Sequence, residues 1–393
     1  MSGSERALNA EYGALQGFYW ANYGVSVMFA VTFLLSRGLT NSMAGAVMAL
    51  GNIVACCVQP ASASLADRHE RVTPVRILYV FSAAMLASLA VLLLIPGAPP
   101  AVLAAYVVYM AFQLAGQPIC SCLCAFFARR GAFINFGLAR GAGSLVYAVL
   151  TALLGNLVAR CGADILPAAG AFTAGGFLLS VVLLGRRASG SPEGKLVTPE
   201  RGRKMADFLR DDPSFCLLLC GIMIIFFSHN VFNCYTLNLV EYLGGTSADM
   251  GRVCAFVACL EMPAMFLFEP ISRRFSTRSL MRASVVAFSV KAALIFLAHS
   301  LTALYLANLL QALSFAVFVP ASVRYVDETV SPSDAVKGQS CITSVITLGS
   351  VMSSLLGGIM LDRLGVPKTF LVAAAVSAAG TAAALCAMRR KRH

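Results

Sequence analysis

The chain has 393 residues, of which 59% are hydrophobic and only 12% charged, and its formal net charge is +12. Soluble domains run at about 45–50% apolar and about 25% charged, so this composition excludes an ordinary soluble globule, whose surface it could not cover with polar groups. The excess apolar area must face lipid, and the basic residues, spread over short loops between apolar runs, argue for membrane topology and against a nucleic-acid partner.

Apolar runs of about 20 residues or more, the length that crosses a bilayer, occur in chain order at 12–36, 42–65, 74–96, 100–127, 137–159, 163–185, 214–240, 248–271, 279–299, 301–324, 338–360 and 366–388. The first reads as a span rather than a leader, because Glu5, Arg6 and Glu11 precede an apolar run too long for a signal-peptide core. Most connections are short and carry turn signals such as Pro99-Pro100 and Gly244-Gly245. The exception follows Gly185, where a stretch with Ser189-Gly190-Ser191-Pro192 and a dense run of charges divides the spans six and six. The expected architecture is an all-α membrane protein of twelve transmembrane helices: an N-terminal six-helix half (1–185), a central loop (186–213) and a C-terminal six-helix half with a basic tail (214–393).

Orientation follows from Lys and Arg. With the N-terminus in the cytoplasm, 23 of the 30 fall in cytoplasmic segments, including the tail Arg389-Arg390-Lys391-Arg392. Only Arg37, Arg160, Arg252, Arg363 and Lys368 fall on the other side, while Arg140 and Lys291 lie within spans. Both termini are therefore expected in the cytoplasm, in the cell membrane.

The halves also resemble each other. Gly155, Arg160 and Gly162 recur 203 residues later as Gly358, Arg363 and Gly365, and Pro60 and Arg68 recur 210 residues later as Pro270 and Arg278. Paired halves are how many secondary transporters are built, with a solute site at the repeat interface. The 13 cysteines do not imply a metal: most fall in apolar stretches, where Cys acts as a small hydrophobe. Cys120, Cys122 and Cys124 lack a neighbouring His or carboxylate. No cofactor is expected, and neither a phosphate-binding Gly-x-x-x-x-Gly-Lys loop nor a nucleophile–base constellation suggests an enzyme.

Three segments carry a more specific signal: Gln59-Pro60-Ala61-Ser62-Ala63-Ser64-Leu65-Ala66-Asp67-Arg68, Phe136-Gly137-Leu138-Ala139-Arg140-Gly141-Ala142-Gly143-Ser144-Leu145-Val146-Tyr147, and Cys259-Leu260-Glu261-Met262-Pro263. Through them the chain resembles the major facilitator superfamily, and within it the branch of the lactose permease and related oligosaccharide and phenylpropionate proton symporters. The resemblance implies gating roles for Asp67 and Arg68 in the loop after the second helix. It implies solute contact by Arg140 and ring stacking by Tyr147 on the fifth helix. It also places Glu261 on the eighth helix and Lys291 on the ninth, where the branch has a carboxylate and a cation. The chain departs from the branch elsewhere. The fourth-helix Glu has no counterpart, the tenth-helix His and Glu fall at Gln311 and Ser314, and two seventh-helix Asp residues fall at Asn230 and Asn233. These departures argue against a galactoside substrate.

Charges inside a span are costly and mark function. Glu261 lies about 13 residues into its span, near the bilayer midplane at roughly 1.5 Å per residue, and is the acidic group best placed to take up and release a proton. Its alternative role is a static pair with Lys291. Arg140 offers a planar fork for carboxylates or hydroxyls, or snorkels to the interface. Among neutral residues, Tyr19, Asn22 and Tyr23 share one side of the first helix, Gln113 and Gln117 are i, i+4 neighbours on the fourth, and Asn230 and Asn233 are i, i+3 neighbours on the seventh. Asn22, Tyr23, Gln117, Asn230 and Asn233 are candidate solute contacts, with helix-to-helix hydrogen bonding as the alternative. Trp20 is a wall of the site or an interface anchor, and His229 a packing residue. The expected function is proton-coupled uptake of a small polar organic solute (a sugar, nucleoside or organic acid) by a monomer. Proton-driven export of amphiphilic compounds and sensing without flux are the alternatives.

Overall fold

The protein is described here by a computed structural model covering residues 3–68, 72–128, 130–188, 208–210, 212–331 and 334–389, and among these residues no strand occurs. In the N-terminal half the helices are α1 (Gly3–Tyr23), α2 (Ala30–Ser36), α3 (Asn41–Arg68), α4 (Pro74–Leu94), α5 (Pro100–Ala128), α6 (Phe136–Cys161) and α7 (Leu166–Ala188). The C-terminal half holds α8 (Pro213–Cys234), α9 (Thr236–Tyr242), α10 (Ser247–Phe266), α11 (Phe268–Ser272), α12 (Thr277–Phe296), α13 (Leu301–Asn308), α14 (Phe315–Thr329) and α15 (Ala335–Arg389).

Local chemistry sets many of the boundaries. Thr73, Asn135, Asp212, Ser276 and Ser300 each accept a hydrogen bond from a backbone N–H in the first turn of the following helix, and Pro74 and Pro213 occupy the first turn, where no N–H is needed. Among the described residues nine helices are long and apolar enough to cross a bilayer, or ten if the bent pair Glu5–Met28 and Ala30–Ser36 is one span. One of the nine, Lys337–Arg389, folds back at Gly365 (φ 73°, ψ 174°), so α15 is two helices joined at that residue. α10 falls outside the set because Asp249, Arg252 and Glu261 interrupt its apolar run.

Four runs expected as single helices are broken, the eighth at Leu267 between α10 and α11. The first passes through a π-helical segment, Gly24–Met28, before bending by 46° into α2. The seventh breaks at Tyr235, between α8 and α9. The tenth tightens into a 3-10 turn at Leu309–Ala312, between α13 and α14. Such breaks free backbone groups inside a span and are tolerated where neighbouring polar groups re-satisfy them. At the first, the Tyr106 hydroxyl donates to the freed Ser26 carbonyl at 3.1 Å.

The structure repeats along the chain. α2 and α9 each have seven residues, and α9 begins 206 residues after α2. The same 206-residue step separates Gly38 (φ 85°) from Gly244 (φ 81°) and the starts of α3 and α10. Gly162 (φ 82°, ψ 170°) and Gly365 (φ 73°, ψ 174°), 203 residues apart, turn the chain alike. A left-handed φ is the conformation for which glycine alone carries no Cβ penalty, so each repeated glycine has the same geometric task.

The chain divides into two compact units, Met1–Thr198 with Ser247–Ala255, and Pro199–Thr246 with Phe256–His393. In the first, α1 packs on α6 and α7, α4 on α5 and α7, and α3 on α5. An added Cβ on Gly155 would lie 2.9 Å from the Gly251 Cα, so this backbone contact within the unit requires glycine. The Glu11 carboxylate receives two hydrogen bonds from Arg187, at 2.6 and 2.8 Å, tying the start of α1 to the end of α7. In the second unit, α8 and α12 pack along α15, and Phe226, Phe288 and Phe318 meet in its core.

Candidate functional site

Both units hold polar side chains among their helices, and their chemistry differs. In the first unit, Arg140 lies one turn inside α6 with its guanidinium carbon 3.8 Å from the centre of the Trp20 ring. Its Nη1 donates to Ser144 Oγ at 2.6 Å. Trp20 can lie this close to α6 because Gly143 has no side chain: an added Cβ there would sit 2.7 Å from Trp20 Cδ1. The Trp20 indole N–H donates to Gln16 at 3.3 Å, and Gln16 in turn donates to the Tyr12 hydroxyl at 2.9 Å. Tyr23 lies beyond, 5.2 Å from Trp20 and 6.3 Å from Tyr147 by ring centres. Arg140, Trp20, Tyr23 and Tyr147 are all half-buried, so a planar cation and three aromatic faces converge on one partly open region. Such a set binds rings by stacking and anions or hydroxyls by the guanidinium.

Asn22 is placed differently from Tyr23. It is fully buried. Its amide donates to Gln113 at 2.7 Å, and its carbonyl accepts from Tyr109 at 2.6 Å and Thr173 at 2.9 Å. Gln113 completes the network by donating to the Tyr19 backbone carbonyl at 3.0 Å. This neutral network joins α1, α5 and α7. Gln117, one turn beyond Gln113, is exposed.

In the second unit, the fully buried Lys291 on α12 donates to Gln311 Oε1. The Gln311 amide then donates to Glu261 Oε1 at 2.6 Å. Gln311 sits in the 3-10 turn of the broken tenth run, and that break presents it between α10 and α12. An amide is suited to this place because it accepts from the ammonium and donates to the carboxylate at once. In the sequence Gln311 stands out only as a departure from the symporter branch's tenth-helix His, and its spacing in an apolar run gives no sign of its partners. Asn230 donates to Ser350 at 2.8 Å, linking α8 to α15, and Asn233 donates to His229 at 3.0 Å. His229 is buried and stacks on Phe315 at 5.6 Å, consistent with packing. The side chains of Asp67 and Arg68, the expected gating pair, lie outside the described residues.

The family model described as "MFS_1 like family" matches residues 12–372. A Deinococcus radiodurans protein named "Putative sugar efflux transporter" is 30% identical over 158 residues, 40% of this chain and 40% of that protein. The "MFS-type transporter ppzB" of Metarhizium rileyi is 26% identical over 162 residues, 41% of this chain and 33% of that protein. The chain thus spans well under half the length of these curated relatives. Among solved structures, a point mutant of the nucleoside transporter NupG superposes with a TM-score of 0.79 at 13% identity, covering 98% of this chain and 100% of that one. A bacterial homologue of the lysosomal transporter Spinster, crystallised inward-facing, reaches 0.70 at 14% identity, with 99% and 98% covered. At these identities the likeness shows a shared fold.

Proposed function

This chain belongs to the MFS_1 like family, and from that premise we propose that it is a multi-pass transporter of the cell membrane that couples uptake of a small polar organic solute to protons. The reading comprises twelve spans, both termini in the cytoplasm and a functional monomer. The solute contacts Arg140, Trp20, Tyr23 and Tyr147, and the proton is handled by Glu261 with Lys291 and Gln311.

The observation that carries this reading is the hydrogen-bonded chain from the buried Lys291 through the buried Gln311 to the half-buried Glu261. A carboxylate held through an amide to a buried ammonium has two stable arrangements, ionised and protonated. The amide can turn to suit either, because it offers both a donor and an acceptor. Coupling requires a group whose protonation biases two conformations, and Glu261 is placed to be one. A ring-bearing solute with hydroxyl or carboxylate groups fits the aromatic and guanidinium set of the first unit.

The test is uptake into vesicles containing the purified protein. Glu261→Gln is expected to abolish accumulation driven by a pH gradient while preserving solute exchange at equal pH. Unchanged accumulation in that variant would refute the coupling role. A second reading, efflux, draws on the name of the Deinococcus relative. It predicts that an acidic exterior drives solute out of the cytoplasmic side rather than in.

A further inference from the structure

A small cavity inside the second unit lies beside Lys291 and is lined by Ser228, His229, Phe232, Phe288, Ala292 and Ser377. It is about large enough for a single water. Ser228 is 1% exposed, and its Oγ has no hydrogen-bond partner in the protein. A buried hydroxyl left in that state carries its full desolvation penalty. The Lys291 ammonium carries three donors, and Gln311 accepts one of them.

The hydroxyls beyond the cavity have a fixed polarity. Thr381 donates to the Val285 carbonyl at 2.8 Å. Ser289, 2.7 Å from Thr381 Oγ1, therefore donates to it, and Ser377, 3.1 Å from Ser289, donates to Ser289. Ser377 thus presents lone pairs to the cavity, while Lys291 and Ser228 present N–H and O–H. The ammonium excludes a metal cation. The Ser377 lone pairs disfavour a halide. The volume excludes an organic group.

We propose that this cavity is a binding site for one water, which accepts from Lys291 and Ser228 and donates to Ser377. It gives the ammonium a partner independent of Gln311, so Lys291 stays hydrogen-bonded when Gln311 turns to follow Glu261. The site links α8, α12 and the final helix of α15 to the buried charge.

Two measurements on the full-length protein test it. The first is a high-resolution crystal structure grown in sodium bromide. One non-anomalous peak within hydrogen-bond reach of Lys291 Nζ and Ser228 Oγ is expected; a bromide anomalous peak, or no density, overturns the proposal. The second is the thermal midpoint of Ser228→Ala. A water-filled site predicts a fall of about 1–3 °C from the lost partner. An unchanged or raised midpoint overturns the proposal, because a dry cavity would gain by losing an unpartnered hydroxyl.

Discussion

In the first unit Asn22 is held by Gln113, Tyr109 and Thr173, all neutral, and Arg140 lies half-buried against Trp20. In the second unit a buried Lys291 and a half-buried Glu261 are joined through Gln311. The two units repeat each other's turns at Gly38 and Gly244 and at Gly162 and Gly365, so the backbone plan is shared while the interior chemistry is not. A neutral network fixes helices without responding to protons. A buried ammonium joined through an amide to a half-buried carboxylate is costly to hold but responds when one member is neutralised. The contrast suggests a division of labour, with solute recognition in the first unit and coupling in the second.

The largest expected effect comes from breaking the charged cluster on one side. Lys291→Met takes the ammonium away from Gln311 and the half-buried Glu261 and should cost about 3 kcal/mol, the low end of the range for breaking a buried pair, read as a lowered thermal midpoint. Adding Glu261→Gln should recover most of that loss without restoring uphill uptake. If the double variant is no more stable than the single, the two residues are not energetically coupled. Next in size is Asn22→Ala, which strands the Tyr109 donor and the Gln113 carbonyl acceptor and should cost about 1–3 kcal/mol with little change in the pH dependence of uptake. A shifted pH profile in that variant would contradict the division. The smallest effect concerns Gly143→Val, whose side chain would push Trp20 away from α6. Solute affinity should fall about tenfold, or about 1.4 kcal/mol, with a shift in Trp20 emission and a preserved fold.

The sequence made the apolar runs legible because bilayer thickness imposes their length, and it marked Glu261, Lys291 and Arg140 because charges stand out in apolar surroundings. It did not show the break in the first run, since Gly24-Val25-Ser26-Val27-Met28 contains no proline, and the close approach of α6 to Gly24 joins residues far apart in sequence. Asn22 and Tyr23 are adjacent in sequence and were read as one face. Yet a helix turns by about 100° per residue, and Asn22 enters the network with α5 and α7 while Tyr23 faces Trp20 and Tyr147. The partners of Gln113 and Gln311 are 20 to 94 residues away, a distance that only topology closes, so the sequence does not tell which helices these amides join. The repeated Gly38 and Gly244 could have been found by aligning the halves with a 206-residue step.

The chain has a single tryptophan, and it is Trp20, stacked beneath Arg140. Its fluorescence therefore reports the proposed solute site without a label. Purified protein titrated with sugars, nucleosides and organic acids should show a saturable change in Trp20 emission for the solute that vesicles accumulate. That change should persist in Glu261→Gln and vanish in Arg140→Gln. A transported solute that leaves Trp20 emission unchanged, or a response lost in Glu261→Gln yet kept in Arg140→Gln, would contradict the separation of recognition from coupling.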